Sequence, residues 1–226
     1  MKDRIKNVLW HSIGLLPLRM RLSMRLILIK ARLSGFENEW HILQHLGPNR
    51  GTALDIGANR GLYTLKLARL YDKVVAFEPN SAIVQELIAL RHPKILVRDD
   101  ALSSSSGNSK LFIPISQAGE SLDGWASLNR ENLSSRSGHQ EIDVPTSMLD
   151  ELRVDDVTFI KMDVEGHECE VIKGGLDFLA KHRPVLLAEI RQEHLEATRS
   201  LLEGIGLRPA PLPEPKGRDM HLFRTT

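Results

Sequence analysis

From residue 51 onward, short apolar runs alternate with amphipathic stretches. Residues 52–56 form an apolar run broken only by Asp55, which predicts a buried strand, and residues 62–70 read as a helix. Residues 73–78 predict the next strand, 81–91 the next helix and 94–98 a third strand. This order predicts a parallel sheet covered on both faces, joined by right-handed crossovers. The rhythm resumes with a strand at 157–162, a helix at 168–179 bent at Gly174-Gly175, a strand at 184–190 and a helix at 193–203. Residues 206–209 and 220–224 predict a closing strand pair, separated by a proline-rich stretch.

Residues 103–147 interrupt this pattern. They hold twelve serines and no strong helical period, with short strands predicted at 110–115 and 141–146 around a polar loop at 119–139. A long irregular insertion in a compact domain is usually functional or mobile. The expectation is therefore a substrate-facing loop region with Trp125 as an aromatic wall; the plainer alternative is a surface loop whose Trp packs for stability.

The N-terminal segment has a different pattern. One helix is predicted to run to about Ser12, with a break at Gly14 and Pro17. A second covers 18–33, where Leu22, Leu26, Ile29 and Leu33 follow helical spacing. The domain reading is a basic helical extension over 1–48 and one α/β domain over 49–226, a length that suits a single core.

Charge sharpens that division. Residues 1–32 hold eight basic side chains against Asp3 alone, leaving 22 basic and 28 acidic residues in the remainder. The mildly acidic body argues against a nucleic-acid-binding face. The basic extension either packs on the domain or makes a peripheral contact with an anionic membrane or a partner. No apolar run has the length to span a bilayer. The apolar residues 13–18 are interrupted by Pro17 and followed by Arg19 and Arg21, a poor secretory signal, so a cytoplasmic location is expected. Cys169 is the only cysteine, which excludes an intramolecular disulfide and thiolate zinc clusters.

Two motifs carry chemistry. The first is Leu54-Asp55-Ile56-Gly57-Ala58-Asn59-Arg60-Gly61 at a strand-to-helix turn. Glycines there let the backbone approach a ligand, and the following helix N-terminus offers unsatisfied amides. Glu78, in Ala76-Phe77-Glu78-Pro79-Asn80, ends the second strand, where an acid can accept hydrogen bonds from both hydroxyls of a ribose. Asn59 stands where a dinucleotide fingerprint wants glycine; it tolerates the left-handed region but leaves less room for a pyrophosphate. Asp55 sits awkwardly beside phosphates and suits a cationic ligand such as S-adenosylmethionine. The cofactor candidates are thus Asp55, Gly57, Ala58, Asn59, Gly61, Glu78 and Pro79. Asp100 and Ala101, after the third strand, are added because an acid there can accept an adenine amine, although Asp residues also form ordinary turns.

The second motif is Phe159-Ile160-Lys161-Met162-Asp163-Val164-Glu165-Gly166-His167-Glu168, predicted at the same sheet edge. Asp163, Glu165 and His167 are the catalytic candidates, with Asp163 also facing the cofactor. Asp163 or His167 can serve as the base for methyl transfer to oxygen, oriented by neighbouring carboxylates. Acids at a helix N-terminus also complement its dipole without any catalytic part. With Glu168 the cluster offers ligands for Mg²⁺ or Mn²⁺, but it has no zinc-type spacing, and the site reading includes no metal.

On these motifs the sequence resembles the FkbM-type S-adenosylmethionine-dependent methyltransferases. Further matching elements are Ala101-Leu102 leading to Gly107, Val144-Pro145-Thr146 with Leu149-Asp150, Gly174 and the strand at 184–189. The resemblance spans roughly residues 50–190. It implies a Rossmann-like, class I methyltransferase fold with a mostly parallel seven-stranded sheet, the last strand antiparallel, and helices on both faces. It also implies O-methylation of a hydroxyl on a sugar, glycan or polyketide-type acceptor. In the family an alanine is common at the position of His167. A nicotinamide-dependent oxidoreductase and a non-catalytic scaffold stay open as alternatives, since fold alone does not decide chemistry.

Overall fold

The computed structural model describes residues 39–132, 138–213 and 219–226. The two helices expected within 1–33, and the membrane contact assigned to residues 1–32, lie outside the described residues.

Seven strands form the main sheet: β1 (Thr52–Ile56), β2 (Lys73–Phe77), β3 (Ile95–Arg98), β7 (Val157–Met162), β8 (Val185–Glu189), β9 (Arg208–Ala210) and β10 (Met220–Arg224). Their order is β3-β2-β1-β7-β8-β10-β9. Pairing is parallel from β3 through β8, while β10 runs antiparallel to both its neighbours. The strand order reverses at β1, so the crevice between the ends of β1 and β7 is where an open α/β sheet binds its ligand.

Residues alternate between two cores across the sheet. Leu54 and Ile56 of β1, and Val157, Ile160 and Met162 of β7, join Val171, Leu179 and Leu202 on one face. Ala53 and Phe159 join Leu62, Leu67 and Tyr71 on the other. All five residues of β1 are buried, as expected for a strand covered on both sides. Asp55 and Lys161 fall in register on the second face, beneath α2 (Leu62–Leu70). Helix α3 (Ser81–Ile88) ends short of the expected residue 91, where Arg91 adopts φ +46°. The bend at Gly174-Gly175 divides the next helix into α4 (Glu168–Lys173) and α5 (Leu176–His182). A Cβ on Gly174 would lie 2.0 Å from the carbonyl oxygen of Ser103. The last helix is α6 (Gln192–Gly204).

A short helix, α1 (Glu39–Ile42), runs into a 3-10 turn over Leu43–His45. Trp40, Leu43 and Leu46 are buried in the second core, and the Trp40 indole donates to the Leu62 carbonyl at 3.3 Å. This part of the expected extension therefore packs into the domain. Among the described residues, no helix is long and apolar enough to cross a membrane.

The insertion is more regular than the sequence pattern implies. β4 (Ala101–Leu102), β5 (Gly107–Pro114) and β6 (His139–Ser147) form a second sheet, with β5 and β6 paired antiparallel from Gly107↔Thr146 to Pro114↔His139. Leu111, Ile113 and Val144 bury one face with Ala101. The two short strands expected at 110–115 and 141–146 are present but longer, because their exposed polar ends carry no apolar alternation. Several serines fasten this sheet and its flanks to the domain: Ser103 Oγ to His167 Nε2 at 3.0 Å, Ser104 Oγ to Glu170 at 2.7 Å, and Ser106 to Glu151.

Candidate active site

The cofactor turn is built by backbone geometry. Gly57, Asn59 and Gly61 adopt φ of +78°, +45° and +80°, and Gly57 and Ala58 both donate to the Phe77 carbonyl, at 3.1 and 2.9 Å. The turn is thus tied to the end of β2, where Glu78 follows. Asn59 takes the left-handed conformation that a short polar side chain tolerates. Its amide donates to Glu78 Oε2 at 2.8 Å, while the Asn80 amide donates to Oε1 at 2.9 Å. Each Glu78 oxygen therefore holds one amide and keeps acceptor capacity for a ligand hydroxyl. Burial pushes this carboxyl up to about 7; Asp123 and Asp55 add to the shift, and the two amides oppose it. Pro79 is half-buried between Glu78 and the buried Asn80, which caps α3 by accepting from the Ala82 amide at 3.2 Å.

Asp55 lies behind the turn. It is fully buried, with Oδ2 accepting from Thr64 Oγ1 at 2.5 Å and Oδ1 without a hydrogen-bond partner among the described residues. Burial raises its carboxyl above the usual range, and the Lys161 charge opposes this. Lys161, itself buried, reaches Asp163 Oδ2 at 3.3 Å and the Tyr63 ring face at 4.7 Å. The cation that acts on Asp55 is thus the protein's own lysine, and the carboxylate ties β1 to α2 through Thr64.

Asp163 and Glu165 come together at the end of β7. The Asp163 amide donates to the Ile56 carbonyl at 2.9 Å, which joins this loop to the end of β1. Glu165 takes φ +52° and meets the Arg191 guanidinium at 3.5 Å, beyond the end of β8. Burial pushes the Glu165 carboxyl up to about 8, with Asp163 and Glu189 adding to the shift and Arg191 opposing it. Glu168, buried, turns back to accept the Val164 and Gly166 amides, each at 3.1 Å, so its part is to hold the loop.

The remaining candidates have partners of their own, and Asp100 follows β3, whose Arg98 carbonyl accepts from the Glu78 amide at 3.0 Å. His167 faces Ser103, its charged neighbours are Glu170 and Lys173 of α4, and burial lowers its pKa. Asp100 is bidentate to Arg98, at 2.8 Å for both contacts, and also accepts from Ser147; Ala101 is buried in β4. Asp100 Oδ2 thus accepts two donors, while Oδ1 accepts one and keeps acceptor capacity. Among the described residues, no three His, Cys, Asp or Glu side chains are grouped to hold a metal ion.

Three residues that sequence reasoning passed over join the site. The insertion's loop lies over the cofactor turn: Asp123, in a 3-10 turn over Asp123–Trp125, accepts from Arg60 Nη2 at 3.1 Å, and a Cβ on Gly124 would lie 3.3 Å from Asn59 Nδ2. Farther along, Ser127 Oγ donates to the Glu165 carbonyl at 2.8 Å. Trp125, between these fastenings, is 59% exposed. Long-range contacts of this kind leave no local period in the sequence.

Among the solved structures compared, one shares this fold. An FkbM methyltransferase from Methylobacillus flagellatus KT superposes with a TM-score of 0.55 at 18% identity, over 78% of this chain and 44% of that one. This chain therefore spans under half the length of that relative. A TehB-like SAM-dependent methyltransferase from Corynebacterium glutamicum gives 0.47 at 10% identity, over 92% of this chain and 97% of that one. No curated protein matches the chain significantly. The model of the methyltransferase FkbM domain matches residues 55–209, from the first acid of the cofactor turn to β9, and the chain belongs to that family.

Proposed function

We propose that this chain transfers a methyl group from S-adenosylmethionine to a hydroxyl of a small-molecule acceptor: a sugar, a glycan or a polyketide-type natural product. The observation that carries the reading is the meeting of the cofactor turn and the acidic loop at the reversal point of the sheet, joined by the bond from the Asp163 amide to Ile56.

The residues present fit such a cofactor. Glu78 offers two oxygens with remaining acceptor capacity, and the Gly57–Asn59 backbone exposes a turn without bulky side chains. Asp163, at the mouth, is the acid available to an ammonium group, because Asp55 is enclosed. When bound, S-adenosylmethionine supplies a methyl group made electrophilic by a positively charged sulfur.

The chain's own contribution is placement and removal of a proton. Glu165 is the better base. Burial pushes its carboxyl up to about 8, it is partly open, and Arg191 holds one oxygen. His167 is committed to Ser103 and serves the seam between β4 and α4. This reading assigns the exposed Trp125 indole, and Arg191 beside Glu165, to a polyhydroxylated acceptor.

Calorimetric titration with S-adenosylmethionine, S-adenosylhomocysteine and NAD, on wild type and Glu78→Ala, tests the cofactor. Binding of both adenosyl ligands, sharply weakened in the variant, is expected; binding of NAD alone would sink the reading. Transfer of a labelled methyl group to a panel of hydroxylated acceptors then tests the acceptor class, and transfer only to amines or thiols would overturn it.

A further inference from the structure

Asp123 belongs to neither motif, yet it touches both halves of the cofactor site. Its Oδ2 accepts from Arg60, the residue after Asn59, and its Oδ1 lies 3.5 Å from the side-chain nitrogen of Asn80, two residues after Glu78. Ser121 Oγ donates to the same Oδ1 at 2.5 Å and fixes the side chain from within its own loop. Arg60 is shared with Glu86 of α3, at 3.2 Å.

The loop carrying Asp123 is ordered by backbone bonds. The Trp125 amide donates to the Leu122 carbonyl at 2.9 Å, and Ser127 and Phe112 exchange both of their bonds, at 2.9 and 3.0 Å. Its far end is held by Ser127 on Glu165. The loop is therefore a roof fastened at one end to the cofactor turn and at the other to the acidic loop.

We propose that Asp123 is a positioning residue of the cofactor site: it fastens this roof across Arg60 and Asn80, and so sets the spacing between the glycine turn and Glu78 that a nucleoside must fit. The assignment rests on the cofactor reading above. The charged groups that act on Glu78 are Asp123 from the roof and Asp55 from β1, and Arg60 links Asp123 to Glu86 of α3. Asp123 is the negative neighbour whose removal eases ionisation of Glu78.

The test measures S-adenosylhomocysteine affinity from pH 5.5 to 8.5, and amide exchange over residues 122–128, for wild type, Asp123→Asn, Asp123→Ala and the exposed hairpin control Lys110→Ala. Both Asp123 variants are expected to weaken binding about 10-fold, the effect of one charge-assisted hydrogen bond. The pH midpoint for loss of binding moves lower in both, and amides 125–127 exchange faster. Lys110→Ala changes none of these. Wild-type affinity and an unmoved pH midpoint in Asp123→Asn would overturn the assignment alone. If the wild type binds no adenosyl ligand, the cofactor reading fails and takes the assignment with it.

Discussion

Gly57 and Asp163 meet backbone to backbone: a Cβ on Gly57 would stand 1.8 Å from the Asp163 carbonyl oxygen. Neither strand can move aside, because β1 and β7 are neighbours at the centre of the sheet. Gly57→Ala also meets a φ of +78°, so steric overlap and backbone strain act together. The expected outcome is a loss of about 3 kcal/mol or more of stability, read from the urea midpoint, with adenosyl-ligand binding abolished. A variant as stable as wild type would show that the two loops are not packed this way.

Glu78 is expected to make cofactor affinity pH-dependent. Ribose hydroxyls need the ionised carboxylate as acceptor, and burial places its titration at about 7. Affinity for S-adenosylhomocysteine should fall as pH drops through that value. Glu78→Gln should bind about 10- to 100-fold more weakly at pH 8, with a flat profile.

Glu165 gives a different signature. As the base, it must be ionised, so kcat should rise with pH and level off above about 8; Glu165→Gln should lower kcat about 100-fold or more. Stability has the opposite sign. The folded carboxyl holds its proton to about 8 against an ordinary 4.5, so its stabilising contribution is complete below 4.5 and lost as pH rises through 8. Melting curves should show a smaller fall between pH 6 and 9 for Glu165→Gln than for wild type.

Trp125 separates binding from folding. With 59% of its surface exposed, Trp125→Ala should change stability by no more than about 0.5 kcal/mol, while raising the acceptor KM several-fold and leaving cofactor affinity intact. A substantial drop in melting temperature would make the indole a packing residue instead.

The sheet was legible because its strands are short apolar runs with the turn glycines and Glu78 at their ends. Residues 52–56, 62–70 and 157–162 match the observed elements throughout. The hairpin was less legible, since β5 opens on Gly107-Asn108-Ser109, an exposed end with no apolar alternation. His167 was read into the site from its spacing to Asp163 and Glu165, and its hydrogen bond to Ser103 is not visible in that spacing. Two residues beyond Glu165 the chain becomes the N-cap of α4, which turns the imidazole toward Ser103. Asp123 was invisible because its main partner, Arg60, is 63 residues away.

The stem of the small sheet has one more implication. Ala101 pairs with Thr146, and the Ser103 amide donates to the Ser147 carbonyl at 2.9 Å, so the chain departs from and returns to the domain at neighbouring points. A segment with adjacent ends can lengthen, shorten or be replaced while the strands on either side keep their register, because closing a longer loop adds little entropy cost. The stem thus makes the segment an exchangeable cassette. Changes confined to the hairpin leave the main sheet in register, whereas Asp123 and Ser127 tie the segment's loop to the glycine turn and the acidic loop.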